Sequence, residues 1–133
     1  MEFLTEAQKE QLLKNGSEEN RDQDHAPIVK LFIPNTNAIW LLSEIEPANP
    51  TIAFGLCDLG LGFPELGYVD LDELKEIRVA ETFQIEQDYS FKSQYPMSVY
   101  AQAARMGRFI TTKKELLSSA ALEIQKPDNA PSP

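Results

Sequence analysis

Asp58, Glu65, Glu86 and Asp88 are the side chains through which this chain could do chemistry. Hard oxygen ligands drawn from two segments could hold Mg²⁺ or Ca²⁺, and two carboxylates of different burial could divide the acid and base roles of a hydrolysis. Against this, 21 of the 133 residues are acidic, so several carboxylates fall near one another without catalytic purpose. No nucleophile and base accompany them at a recognisable spacing. Cys57 lies in an apolar run with no His near it in sequence, and it reads as a small buried hydrophobe. His25 is the only histidine; a zinc site or a catalytic triad would need partners that this sequence does not place around it.

The second place to look for chemistry is FGLCDLGLGFPELGYVDLDELKEIR, residues 54–78, which holds four of the six glycines. A phosphate-binding loop needs backbone N–H groups at a helix N-terminus. Here the third glycine is displaced from the GxGxxG spacing, and no Gly-Lys-Ser/Thr ending follows. Gly67-Tyr68-Val69 must run extended before any helix starts. Gly60 and Gly62 are therefore expected to supply positive φ in a turn stiffened by Pro64, and Gly67 to mark a bulge or a close backbone approach. Asp70 and Glu73 have the spacing of a capping box, which explains Asp70 without a metal.

These residues must be positioned by a chain of one-domain length, 42% hydrophobic, which is enough to bury a core. The N-terminal stretch MEFLTEAQKEQLLK is charged and amphipathic, without the apolar centre of a secretory signal. No run of eighteen apolar residues occurs, so the expectation is a cytoplasmic protein with no membrane segment. A net charge of −9 opposes non-specific binding to nucleic acid or to anionic membrane. The charge is uneven, however. Lys92, Arg105, Arg108, Lys113 and Lys114 fall in the acid-free stretch between Asp88 and Glu115. They form either a solvated face packed beside acids of the same chain or a basic patch for an acidic partner.

Thr5 and Gln8 form a capping box that opens a helix ended by Asn15-Gly16. The stretch 17–27 buries too little of itself to order and is expected to be a mobile acidic loop. Three β-type runs follow, 28–33, 38–45 and 51–57, separated by short Pro/Asn connections that favour an antiparallel meander. Trp40 falls mid-strand as a packing residue. Asp70 starts a short helix with Leu71, Leu74 and Ile77 on its buried stripe, and 81–88 alternates as a further strand. Pro96 at a first helical position and Gly107 past the end bound another helix, whose small apolar set Val99, Tyr100, Ala103 and Ala104 should sit close on the sheet. A last helix is expected from Thr112 as N-cap with Glu115 three residues on, stopping before Pro127; residues 127–133 are expected to be disordered. The resulting expectation is a single α+β domain over 1–126, with an antiparallel sheet of about five strands and two to four helices.

The segments IVKLF, IWLLSE, FGLCDLGLGFPELGYVDLDEL, IEQD-x-x-F and YAQAARMG stand in this order. Together they resemble the DUF2958 family of small bacterial proteins over about residues 1–110, with GFPELGY (62–68) the most specific piece. The resemblance implies a setting on conjugative plasmids and integrative elements, and it implies no reaction and no catalytic residues. It also implies an Arg at the position occupied here by Gln87, a departure that weakens any role for Glu86 and Asp88.

Three functions compete. The first is a non-enzymatic, protein-binding accessory module of a mobile element, with Asp58, Glu65, Tyr68, Glu86 and Asp88 as its surface; in one version its acids imitate nucleic acid. The second is a metal-assisted hydrolase or small-ligand enzyme using the four carboxylates. The third is single-strand nucleic-acid binding through Lys92 to Lys114, with Tyr89, Phe91, Tyr95, Tyr100 and Phe109 available for stacking. The first is preferred: it calls for a protein partner and no cofactor.

Overall fold

The computed structural model describes residues 3–126. Its elements are α1 (Glu6–Asn15), β1 (Val29–Phe32), β2 (Ile39–Ile45), β3 (Ile52–Asp58), β4 (Glu65–Asp70), α2 (Leu71–Glu76), β5 (Glu86–Gln87), α3 (Met97–Gly107) and α4 (Lys114–Gln125). All strand pairings are antiparallel, in the order β4-β3-β2-β1-β5, so the first four strands form the expected meander and β5 returns to the far side of β1. The period-2 alternation of β2 sends Trp40 and Leu42 to one face, against α1 and α2, and Leu41 to the other, against α3 and α4. An α+β domain of three layers results, with a helix pair on each side of the sheet. No helix among the described residues is long and apolar enough to cross a membrane.

Local chemistry accounts for the helix starts. Thr5 Oγ1 accepts from the Gln8 N–H at 3.1 Å while Gln8 Oε1 accepts from the Thr5 N–H at 2.9 Å, which is the full capping box of α1. At the other end of α1 the Asn15 amide donates to the Ser43 carbonyl at 3.0 Å, where β2 is interrupted by a register shift between Leu42 and Glu44. The segment 17–27, expected as a mobile loop, makes hydrogen bonds to α1 and to the start of α3. Asn20 donates to the Lys14 carbonyl, His25 Nε2 lies 2.7 Å from the Asn20 carbonyl, and Pro27 is buried. Asp24 caps α3 by accepting from the Ser98 N–H at 3.0 Å, and the His25 carbonyl accepts from the Met97 N–H.

Several boundaries differ from the sequence-based expectation. Pro96 is the N-cap of α3 rather than its first residue, because the capping group is Asp24, far away in sequence. Arg108 takes the left-handed conformation (φ 61°) expected of Gly107. A Cβ on Gly107 would lie 2.9 Å from the ring of half-exposed Phe109, a side chain that can swing aside. The N-cap of α4 is Lys113, not Thr112, and carries no side-chain cap. The strand expected over 81–88 shrinks to Glu86–Gln87, because Ala80 (φ 51°) and Glu81 (φ 61°) make a tight turn closed by a Val79–Phe83 bridge. Phe83 and Ile85 nonetheless share the core side, as their alternation requires. The tail at 127–133 lies outside the described residues.

Candidate interaction surface

Asp58 ends β3 and begins the corner. Its side chain is buried, and Oδ1 accepts from the Gly60 N–H at 2.8 Å, an Asx turn that reverses the chain. Gly60 (φ 88°) and Gly62 (φ 85°) both take the left-handed region, so these glycines bend the backbone. The consequence is not visible in composition. Because glycines alternate with Leu59, Leu61 and Phe63, no neighbouring side chain covers the apolar ones, which stand 64%, 72% and 74% exposed. Leu66 and Tyr68 on β4 add 45% and 70%. Full burial of each such side chain contributes roughly 1.5–3 kcal/mol, and the five wrap the corner and both faces of the adjoining β4 edge as an apolar patch of the kind that marks an interaction site.

A groove of about 430 Å³ runs beneath the patch, between β4 and α2. Its acids are Asp58, Glu65, Asp70 and Glu73, and no Lys or Arg lines it. Asp70 caps α2 by accepting from the Asp72 N–H at 2.9 Å. Glu73, expected to complete a capping box, instead contributes to the groove wall. Cys57 also lines the groove, its thiol pushed up to about 11 by burial and therefore protonated at neutral pH. Gly67 departs from expectation. The β3–β4 register runs unbroken from Cys57–Glu65 to Ile52–Asp70, so Gly67 marks no bulge, and nothing lies within 4 Å of where its Cβ would be.

Tyr68 belongs to the other side of β4, edge-on to Phe54 at 5.1 Å between centroids. There it borders a smaller polar cleft with Arg21, Asp22, Glu44 and Glu46. Burial raises the pKa of Glu44, with neighbouring Asp22 adding to the effect and His25 opposing it.

The five residues singled out from the sequence do not converge. Asp58 and Glu65 flank the β3–β4 corner and Tyr68 stands farther along β4 on its other face, whereas Glu86 and Asp88 sit at β5 on the opposite edge, four strand spacings or ~19 Å from β4. Asp88 pairs with Lys30 at 3.4 Å and accepts from the Ser90 hydroxyl and N–H. Those Ser90 bonds, ahead of Lys30, hold its carboxyl below the usual range despite partial burial. Gln87 exchanges amide hydrogen bonds with Gln8 and donates to the Phe3 carbonyl; an Arg in its place could keep only the donating role. Among the described residues, no three His, Cys, Asp or Glu side chains gather so as to hold a metal ion.

The basic residues also divide. Arg105, Arg108, Lys113 and Lys114 lie at the α3–α4 connection, while Lys92 precedes the start of α3, a helix roughly 16 Å long. None of the five joins an ion pair with an acid among the described residues. Of the aromatics considered for stacking, Tyr100 is buried with its pKa raised by that burial, and Phe91 and Tyr95 pack against the α3 core. Only Tyr89 and Phe109 are exposed.

Fold and corner together define a compact three-layer domain that presents an apolar, acid-rimmed sheet edge. The sequence pattern of the DUF2958 family, described as a protein of unknown function, matches residues 3–111, and the chain belongs to that family. α4 lies beyond the matched stretch, whereas the whole β3–β4 corner lies within it. No curated protein and no solved structure matches the chain.

Proposed function

We propose that this protein is a non-enzymatic protein-binding module, an accessory factor of a mobile genetic element acting in the cytoplasm, and that it binds through the β3–β4 corner. The observation that carries this is the row Leu59, Leu61, Phe63, Leu66 and Tyr68, left open to solvent beside a groove whose charges are all acidic. The mobile-element setting is supported by the family resemblance alone. Hydrolysis by the four carboxylates is disfavoured by the separation of Glu65 from Glu86 and Asp88, and base stacking by the burial of Tyr100 and the packing of half-buried Phe91 and Tyr95 against the α3 core. A photo-crosslinking residue placed at Phe63, compared with one at exposed Glu18 in the same cells, tests the surface. A discrete protein adduct from position 63 and none from position 18 is expected. No adduct, or the same products from both positions, would overturn it.

A further inference from the structure

We infer that the partner binds as an extended segment added to the free edge of β4, with basic side chains facing the α2 side and apolar ones facing the other; this rests on the protein-binding function proposed above. The Leu71 N–H donates to the Thr51 carbonyl, which fixes the hydrogen-bonding phase of the β3–β4 pair. Residues 65, 67 and 69 exchange bonds with β3, and the N–H and C=O of Leu66 and Tyr68 point outward from the sheet. Such a row of unpaired backbone groups is a template for another strand.

Of the usual guards of an edge, β4 carries only the acids at its two ends. β4 contains no Pro, Lys or Arg and no bulge. Gly67 sits at its centre with open space on the groove side, and a glycine in a strand marks where another backbone comes close. Nothing among the described residues does so.

Pairing parity assigns the chemistry. Glu65, Gly67 and Val69 face the α2 side, where Asp58, Asp70 and Glu73 also line the groove, whereas Leu66 and Tyr68 face the opposite side. An added strand with period-2 alternation therefore meets acids and no Lys or Arg on the groove face, and on the other face Leu66 and Tyr68, the latter beside the mixed-charge cleft of Arg21, Asp22, Glu44 and Glu46. A second copy of this chain is the wrong occupant, because β4 has no basic side chain and would bring its own Glu65 to the acid-lined face.

The test uses the full chain and three decapeptides: alternating Val-Lys, alternating Val-Glu, and Val-Lys with alternate backbone nitrogens methylated. Binding of the first, with the other two weaker by about tenfold or more, is expected. Leu66→Pro removes an outward N–H at a position where an edge tolerates proline, so it should keep its melting temperature and lose the Val-Lys peptide. Equal binding of the N-methylated or Val-Glu peptide, no binding of Val-Lys at ~1 mM, or a stable homodimer through β4 would overturn strand addition. Should Leu66→Pro misfold, the methylated peptide still decides, since it changes only the ligand. Persistence of the position-63 adduct in a folded Leu66→Pro protein would overturn strand addition and leave the protein-binding function standing. Absence of that adduct from the parent protein would remove both.

Discussion

β5 and β4 both border the sheet, and they are built in opposite ways. β5 is two residues long; Gln87 grips the start of α1 through Gln8 and the Phe3 carbonyl, and Asp88 beside it is held by Lys30 and Ser90. A short edge whose side chains are occupied offers little to another strand. β4 runs six residues in unbroken register, exposes Leu66 and Tyr68, and has a vacant position at Gly67. Since one edge of this sheet is short and tied down and the other is not, an open edge is not imposed by the small size of the domain. The β4 edge is also continuous with the apolar corner at Leu59, Leu61 and Phe63.

The sharpest way to break the contrast uses two glycines that face each other across β3 and β4. A Cβ on Gly55 would lie 2.0 Å from the Leu41 carbonyl oxygen, a clash with backbone that no rotamer relieves, whereas one on Gly67 meets nothing within 4 Å. Gly55→Ala should cost upwards of ~3 kcal/mol or prevent folding. Gly67→Ala should stay within about 0.5 kcal/mol of the parent. Urea unfolding of the two variants checks this, and equal losses would mean that the β4 edge is not open as described.

Much of this frame could be read before any coordinates, because the signals were local. The Thr5–Gln8 box, the Pro/Asn turns between β1, β2 and β3, and the glycine corner each depend on a few adjacent residues. What escaped was mostly set by distant partners. Asp24 caps α3 across 74 residues of sequence, and Gln87 of β5 is held by Gln8 and Phe3 about eighty residues away. The positive-φ turn that shortens β5 is local but falls on Ala80 and Glu81, which carry no turn signal. The surface was half legible. Asp58, Glu65 and Tyr68 stood out as candidates, but their separation from Glu86 and Asp88 follows from strand order, which places β5 beyond β1. The exposure of Leu59, Leu61 and Phe63 formed no part of the sequence reading, which took this corner for its glycines and acids alone. The available signal was their strict alternation with Gly60 and Gly62, which leaves no side chain to cover them.

The guarded edge should lose stability in smaller steps. Gln87→Ala removes the amide exchange with Gln8 and the bond to the Phe3 carbonyl, groups separated by about eighty residues and partly buried. A loss of about 1–2 kcal/mol is expected, along with faster hydrogen exchange at the start of α1. Combined with Gln8→Ala it should lose less than the sum of the two single changes, since they share one contact. Strict additivity would show that Gln87 does not hold α1.

The smallest effect lies at Asp88 and is read through pH. The Ser90 hydroxyl and N–H, with Lys30 behind them, favour the carboxylate and lower its folded pKa below the ordinary value. The unfolded chain therefore binds the proton more readily than the native one. The stabilisation is complete above the unfolded pKa of about 3.9 and disappears as the pH falls through the lowered native value. Asp88→Asn keeps an acceptor for Ser90 but has no charge to lose. Parent and variant should differ by less than ~1 kcal/mol at pH 7, as for other partly exposed pairs. The gap should close below about pH 4, as shown by urea midpoints taken across that range. A gap that stayed constant with pH would mean that packing, and not the carboxylate, secures this end of the sheet.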